Sequence, residues 1–207
     1  MKIKNIMLIL KKINLYIFLL IIVSSNGCRE IYTPKPKGHF RIDLPDKKYL
    51  PVDSSLTKSI GMPFTFEYPL YGKISVKMET KAQPGWFNLE FPEYRAKIYF
   101  TYKKINNDFE SLMEQSYKMN VKNHITKADA INEQVINNQK NNVYGILYDL
   151  KGNTASAVQF YVSDSVHHFL RGSLYFASEP DADSLAPVIE FFREDMIHII
   201  ETLKWKY

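Results

Sequence analysis

Apolar and polar residues alternate with a period of two along most of the chain, and this alternation predicts strands. Phe40, Ile42 and Leu44 alternate with Arg41 and Asp43, the pattern of a half-buried strand that Pro45 would stop. The same period runs through FTFEYP (Phe64 to Pro69), KISVKME (Lys73 to Glu79) and Gly85 to Lys104, where Ala96, Ile98, Phe100 and Tyr102 share a face. AINEQVI, from Ala130, predicts another strand. Val143 to Leu150, Thr154 to Val162 and Val166 to Phe176 are separated only by KGN and SDS, which predicts an antiparallel meander with two hairpin turns.

Two segments change to helical spacing. Phe109, Leu112, Met113, Ser116 and Tyr117 fall on one stripe, and Asn107 with Glu110 reads as a capping box, so a helix is expected over 108–122. Ile189, Phe192, Met196, Ile199 and Leu203 repeat at three and four, predicting a helix over 185–203 that Ser184 caps and nearby acids favour. Strands, helix, antiparallel strands and helix, in that order, predict an α+β fold: an antiparallel β-sheet flanked by two main helices.

The first residues follow a different logic. MKIKNIMLILKK is basic, INLYIFLLIIV is apolar and SSNG is small, and Cys28 follows at once. The run Ile13 to Val23 suits a signal-peptide core and falls short of the about 20 residues a spanning helix needs. This pattern resembles a bacterial lipoprotein signal, with Ser25 where leucine is common, in which Cys28 would be acylated and become the mature N-terminus. Acyl chains, at about 0.8 kcal/mol per buried methylene, would hold such a protein on a membrane. TPKPKG then reads as an extended, solvated tether. The expected division is 1–27 signal peptide, 28–62 lipid-anchored tether and N-terminal arm, and 63–207 a single α+β domain.

Charge alters the picture less than its total suggests. The net charge is +5, but Lys2, Lys4, Lys11 and Lys12 all precede Cys28 and no acid does, leaving the rest close to neutral. That distribution argues against a nucleic-acid partner. A single cysteine excludes an intrachain disulfide and a CxxC zinc site.

Candidate chemistry is sparse. His167 and His168 point to opposite faces of a strand and cannot chelate one ion together. Glu194 and His198 sit one helical turn apart and read as a surface pair, and EPDADS reads as acids before a helix. No GxSxG, HExxH, GxxxxGK[ST] or GxGxxG occurs. Catalytic, cofactor-binding and metal-ligating residues are therefore expected to be none. Tyr94, Tyr99, Tyr102, Tyr144, Tyr148, Tyr161 and Tyr175 lie on or beside expected strands and fit a core whose hydroxyls reach the rim; a glycan-stacking surface is the other reading.

The element order and the closing FFREDMIHIIETLKW are similar to the PsbP-like fold, a sandwich used mostly by accessory proteins of membrane machines. More specifically, YTPKPKGHFRIDLP resembles the hallmark of the gliding motility-associated lipoprotein GldD family of Bacteroidetes. Tyr32, Pro34, Lys35, Pro36, Gly38, Phe40, Arg41, Ile42 and Pro45 match in place, while His39 replaces the usual tyrosine and Lys37 an arginine. The resemblance implies a non-enzymatic lipoprotein of the gliding motility and type IX secretion machinery, with membrane and machinery proteins as partners and no cofactor. REIYT after Cys28 lacks the acidic run of a surface-export signal, so the periplasmic side is expected, with the outer membrane's inner leaflet preferred over the inner membrane. Tyr32, Lys35, Lys37 and Arg41 become candidate partner-binding residues; the other reading is that these cations only keep a tether solvated. Alternative functions are a peptidoglycan- or ligand-binding lipoprotein and, further off, a hydrolase.

Overall fold

In the computed structural model of the chain, residues 12–14, 42–59, 61–76 and 85–206 are described. Two compact units emerge, Met1–His39 and Phe40–Tyr207. Of the first, only the helical piece 12–14 is described. The signal segment, the tether and Cys28 lie outside the described residues, as does most of KISVKME beyond Val76.

The second unit is built on a seven-stranded antiparallel sheet. Its strands are β4 (Lys73–Ser75), β5 (Trp86–Phe91), β6 (Ala96–Lys104), β7 (Ala130–Asn138), β8 (Val143–Lys151), β9 (Val158–Ser163) and β10 (His168–Phe176), in the spatial order β4-β5-β6-β10-β9-β8-β7. Strands β6 and β10 hold the centre, in register from Phe176↔Ala96 to His168↔Lys104. Two small ladders complete the unit: β1 (Tyr49–Pro51) with β3 (Glu67–Pro69), and β2 (Phe64–Thr65) with β11 (Lys204–Trp205).

Period-two alternation gives the sheet two different faces. One face presents Phe87, Leu89, Ile98, Phe100, Phe160 and Leu174 to the main core, closed by Phe64, Phe66 and the long helix α3 (Ala182–Thr202). Phe192 of that helix is fully buried, with ring centroids 4.4 Å from Phe91 and 5.7 Å from Tyr94. The other face is covered in part by α2 (Phe109–Tyr117) and a following π-helical turn, Lys118–Lys122. Leu112 packs there with Ile105 and Phe169, and Val121 with Tyr148 and Leu150. A shorter helix, α1 (Ser54–Ser59), follows β1. The α+β architecture with two main helices is thus the one expected.

Several local expectations need correction. Residues 42–48 form no strand, and Ile42 and Leu44 are exposed, because alternation creates a strand only where a sheet edge is there to pair with it. Asn107 is no cap: it holds a left-handed φ of 60°, while Asp108 is the N-cap residue and its carboxylate accepts from the Asn106 N–H. Asp181, not Ser184, caps α3, accepting from both the N–H and hydroxyl of Ser184.

The turns also differ from the expected tight hairpins. KGN is part of a longer loop, because Thr154–Ala157 leaves the ladder and the Thr154 hydroxyl bonds to the Ser156 carbonyl. SDS is a wider loop organised by Asp164, whose Oδ1 accepts from the N–H groups of Val166, His167 and His168. FTFEYP divides at Phe66 into two strands with different partners.

Replacing Phe192 by alanine should cost about 3–5 kcal/mol through lost burial and the cavity left behind. A lowered urea midpoint with unchanged m-value would register it; an unchanged midpoint would show that the helix does not seal the core.

Candidate functional site

Asp195 is completely buried in α3, between Phe192 and Ile199 on the apolar stripe. An unpaired carboxylate at such a position would be strongly unfavourable. Three donors answer it. Lys47 Nζ lies 2.7 Å and Tyr49 OH 2.8 Å from Oδ1, and Tyr71 OH lies 2.7 Å from Oδ2. Lys47 also donates to the Phe191 carbonyl, and its ammonium sits 3.5 Å from the centre of the Phe191 ring.

Around this clamp the neighbouring side chains interlock. His198, one turn along, stacks on Tyr49 at 3.6 Å and pairs through Nε2 with Glu67 at 2.9 Å. Its partner is therefore Glu67 and not Glu194, which instead lies 3.7 Å from Lys47. The segment just before β1 is thereby fastened to α3. A bidentate pair holds the helix elsewhere: Arg193 donates to Asp149 at 2.7 and 2.9 Å, joining α3 to β8.

Burial and the bond to Asp195 push the Tyr49 and Tyr71 phenols well above their usual range. Both phenols are donors in these bonds, so ionisation would remove them and set negative charge beside a carboxylate. His168 belongs to a separate cluster, bonded through Nδ1 to Tyr102 OH at 2.8 Å and stacked 5.0 Å from Trp205. Burial is the largest influence on its imidazole and holds it below the usual value; nearby Asp164 opposes the shift, and His167 and Lys104 add to it.

These clusters bind their own chain. The donors around Asp195 are a lysine and two phenols that belong to the fold, an arrangement that locks segments together. Among the described residues, no group of three His, Cys, Asp or Glu side chains could hold a metal ion. His167 is exposed in the loop that precedes β10, not in the strand where it was expected, and His168, the first residue of β10, is buried; their ring centroids lie 6.0 Å apart. Of the expected tyrosines, Tyr148 is fully buried, whereas Tyr99 is exposed.

Cys28, Tyr32, Lys35, Lys37 and Arg41 all lie outside the described residues. Asp195 was missed by sequence reasoning, although an acid on the core side of an otherwise apolar helical stripe is a visible signal. Lys47, Tyr49 and Tyr71 carried no such signal, because their convergence depends on tertiary contacts.

What these features define is an α+β domain whose buried polar groups are spent on internal fastening. The chain belongs to the gliding motility lipoprotein GldD family, whose profile matches residues 29–205. Membership supports a role in gliding motility and anchoring in the cell envelope; the family is not a known enzyme family. No helix among the described residues is long and apolar enough to cross a membrane. Among solved structures, the chain is similar to the solution structure of cyanobacterial PsbP (CyanoP) from Synechocystis sp. PCC 6803, with 11% identity and a TM-score of 0.45, covering 83% of this chain and 99% of that one. No curated protein sequence matches it.

Removing the buried carboxylate with Asp195→Ala should destabilise the unit by about 3–5 kcal/mol, because Lys47 and two phenols lose their acceptor. Chemical denaturation measures this, and a change below about 1 kcal/mol would dismiss the clamp. The phenols add a pH signature. Their folded-state pKa values are raised, so their contribution is complete below pH ~10 and declines as pH rises past it. Between pH 10 and 11 the denaturation midpoint should fall, and Tyr71→Phe should make that fall shallower.

Proposed function

We propose that this chain is a non-enzymatic lipoprotein of the gliding motility and type IX secretion machinery, acting through protein–protein contacts. Cys28 carries the lipid, and the folded unit faces the periplasm, attached to the inner leaflet of the outer membrane. Tyr32, Lys35, Lys37 and Arg41 engage a machinery partner. Cells need no catalytic residue in this protein for such a role; they need a domain held at a membrane and a recognisable surface.

The observation that carries this reading is the family match beginning at Arg29, directly after Cys28, and running to Trp205. The Asp195 clamp adds a mechanical argument. Lys47 and Tyr49 tie the start of the folded unit to the buried face of its longest helix. Load arriving along the chain from a lipid at Cys28 would therefore meet a partly buried charge pair, its carboxylate fully enclosed, before it reached the seven-stranded sheet. An exposed ion pair would resist such load less, since water competes for it.

A paired experiment tests this proposal. Cys28→Ala should abolish labelling with radioactive palmitate and release the protein from the membrane fraction. The triple substitution Lys35→Ala, Lys37→Ala and Arg41→Ala should leave labelling and abundance intact while gliding and secretion are lost. Motility and secretion at the unaltered level in the triple variant would reject the docking role of these residues.

A further inference from the structure

On the sheet face that α2 covers only in part, β5, β6 and β10 floor an open cleft of about 720 Å³, adjoined by a second of about 390 Å³ beside α2. Arg171 of β10 lines both, opposite Thr101 of β6. Its guanidinium is held from behind by amides: Nε and Nη2 donate to Asn120 Oδ1 at 2.9 and 2.6 Å, and Nη2 also donates to Gln159 Oε1 at 2.8 Å. Asn120 and Gln159 are themselves fully buried. Among the described residues, Nη1 meets only the thioether sulfur of Met119, a weak acceptor.

Every one of these partners is neutral. A largely desolvated cation without a counter-charge is costly, and the described residues supply no carboxylate among the bonded neighbours of this one. Other charges in the fold are treated differently: Asp195 receives Lys47, Asp149 receives Arg193, and Glu90, in the same cleft, receives Lys97 at 2.9 Å. Burial also holds Arg171 below the usual arginine value, the direction expected of an uncompensated guanidinium. Amides that fix the orientation of the side chain while leaving its charge unanswered are the support a recognition arginine needs.

The walls describe the rest of the ligand. Tyr99 and Tyr175 meet edge to face at 5.4 Å on one side of Thr101. Trp86, paired with Thr101 in the β5–β6 ladder, stands exposed on the other side. We propose that this cleft binds an acidic peptide segment, with a carboxylate side chain neutralising Arg171 and an adjacent apolar or aromatic side chain resting against Tyr99 and Tyr175. The donor count favours a carboxylate over a phosphate group: Nε and Nη2 of Arg171 are already engaged, leaving only Nη1, and of the two other cations lining the larger cleft Lys97 is committed to Glu90, so Arg95 alone would add to it. The combined volume of the two adjoining clefts favours a peptide over a small organic acid. This inference is independent of the N-terminal arm, so its failure would leave the arm's role untouched.

The test uses the full chain in detergent and follows tryptophan fluorescence, because Trp86 is exposed at the cleft and Trp205 is buried. The probe acetyl-Glu-Tyr-Glu-Tyr-amide should give a saturable change, with acetyl-Gln-Tyr-Gln-Tyr-amide binding about 10-fold or more weakly, the range for losing a charge-assisted hydrogen bond. Arg171→Met, which keeps an unbranched stem, should weaken the acidic peptide to the same degree while melting remains cooperative. Tyr99→Ala at the rim should weaken the peptide and leave glutarate unaffected. Equal binding of the two peptides to the unaltered protein overturns the proposal, even if the Arg171 variant fails to fold. Glutarate binding as tightly as the peptide overturns the peptide assignment, and inorganic phosphate displacing the peptide better than glutarate overturns the carboxylate assignment.

Discussion

Asp195 places a carboxylate where the long C-terminal helix should be apolar, and much of the folded unit is arranged to answer it. Lys47 comes from the segment before the first strand, Tyr49 from the first residue of that strand, Tyr71 from the turn after β3, and the acceptor itself from α3. Each partner is distant in sequence from Asp195, so the cluster can form only when Lys47, the β1–β3 ladder and the helix are all in place. A buried ion pair of this kind adds little net stability compared with an apolar substitute, but it penalises alternatives strongly, since any misplaced segment leaves a charge unpaired. The aromatic shell follows the same logic: His198 stacked on Tyr49, and Phe191 beneath the Lys47 ammonium, exclude the water that would weaken the clamp.

The two faces of the sheet are finished to different degrees. Behind the α3 face lies a continuous aromatic core, in which Phe87 and Phe100 stack at 4.6 Å and Phe64, Phe66, Phe91 and Phe160 fill the remaining layer. On the other side a nine-residue helix and one π-helical turn cover only part of the sheet. The π turn has a structural cause. It brings Asn120 and Val121 inward together, one to hold Arg171 and the other to pack on Tyr148. Beyond its reach, polar and aromatic side chains of β5, β6 and β10 remain open to solvent.

This asymmetry suits a protein of an envelope machine. One face and the segment Lys47–Tyr49 are consolidated by internal fastening, and the other face offers shape and charge. Membership of the gliding motility lipoprotein GldD family accords with that division. In such a domain rigidity itself is useful, because a surface held in one conformation loses little entropy when a partner docks.

The sequence alone determined the α+β class, the meander, the two main helices and the family, because these depend on local periodicity and on a contiguous motif around TPKPKGHFR. Periodicity locates the faces of an element and says little about its partners. Phe40 to Leu44 therefore looked like a strand, yet residues 42–48 found no edge to pair with, and Asn107 looked like a cap although its backbone turned left-handed. Asp195 was missed although it sits in the helical stripe, and nothing in the chain order pointed to Lys47, Tyr49 and Tyr71 as its donors. Arg171 carried no signal in the chain order; folding gave it Asn120 and Gln159 and, among the described residues, no bonded carboxylate. Only the tertiary structure could decide which charges are answered within the fold and which is left facing a cleft, because compensation depends on distances between residues that the sequence keeps far apart.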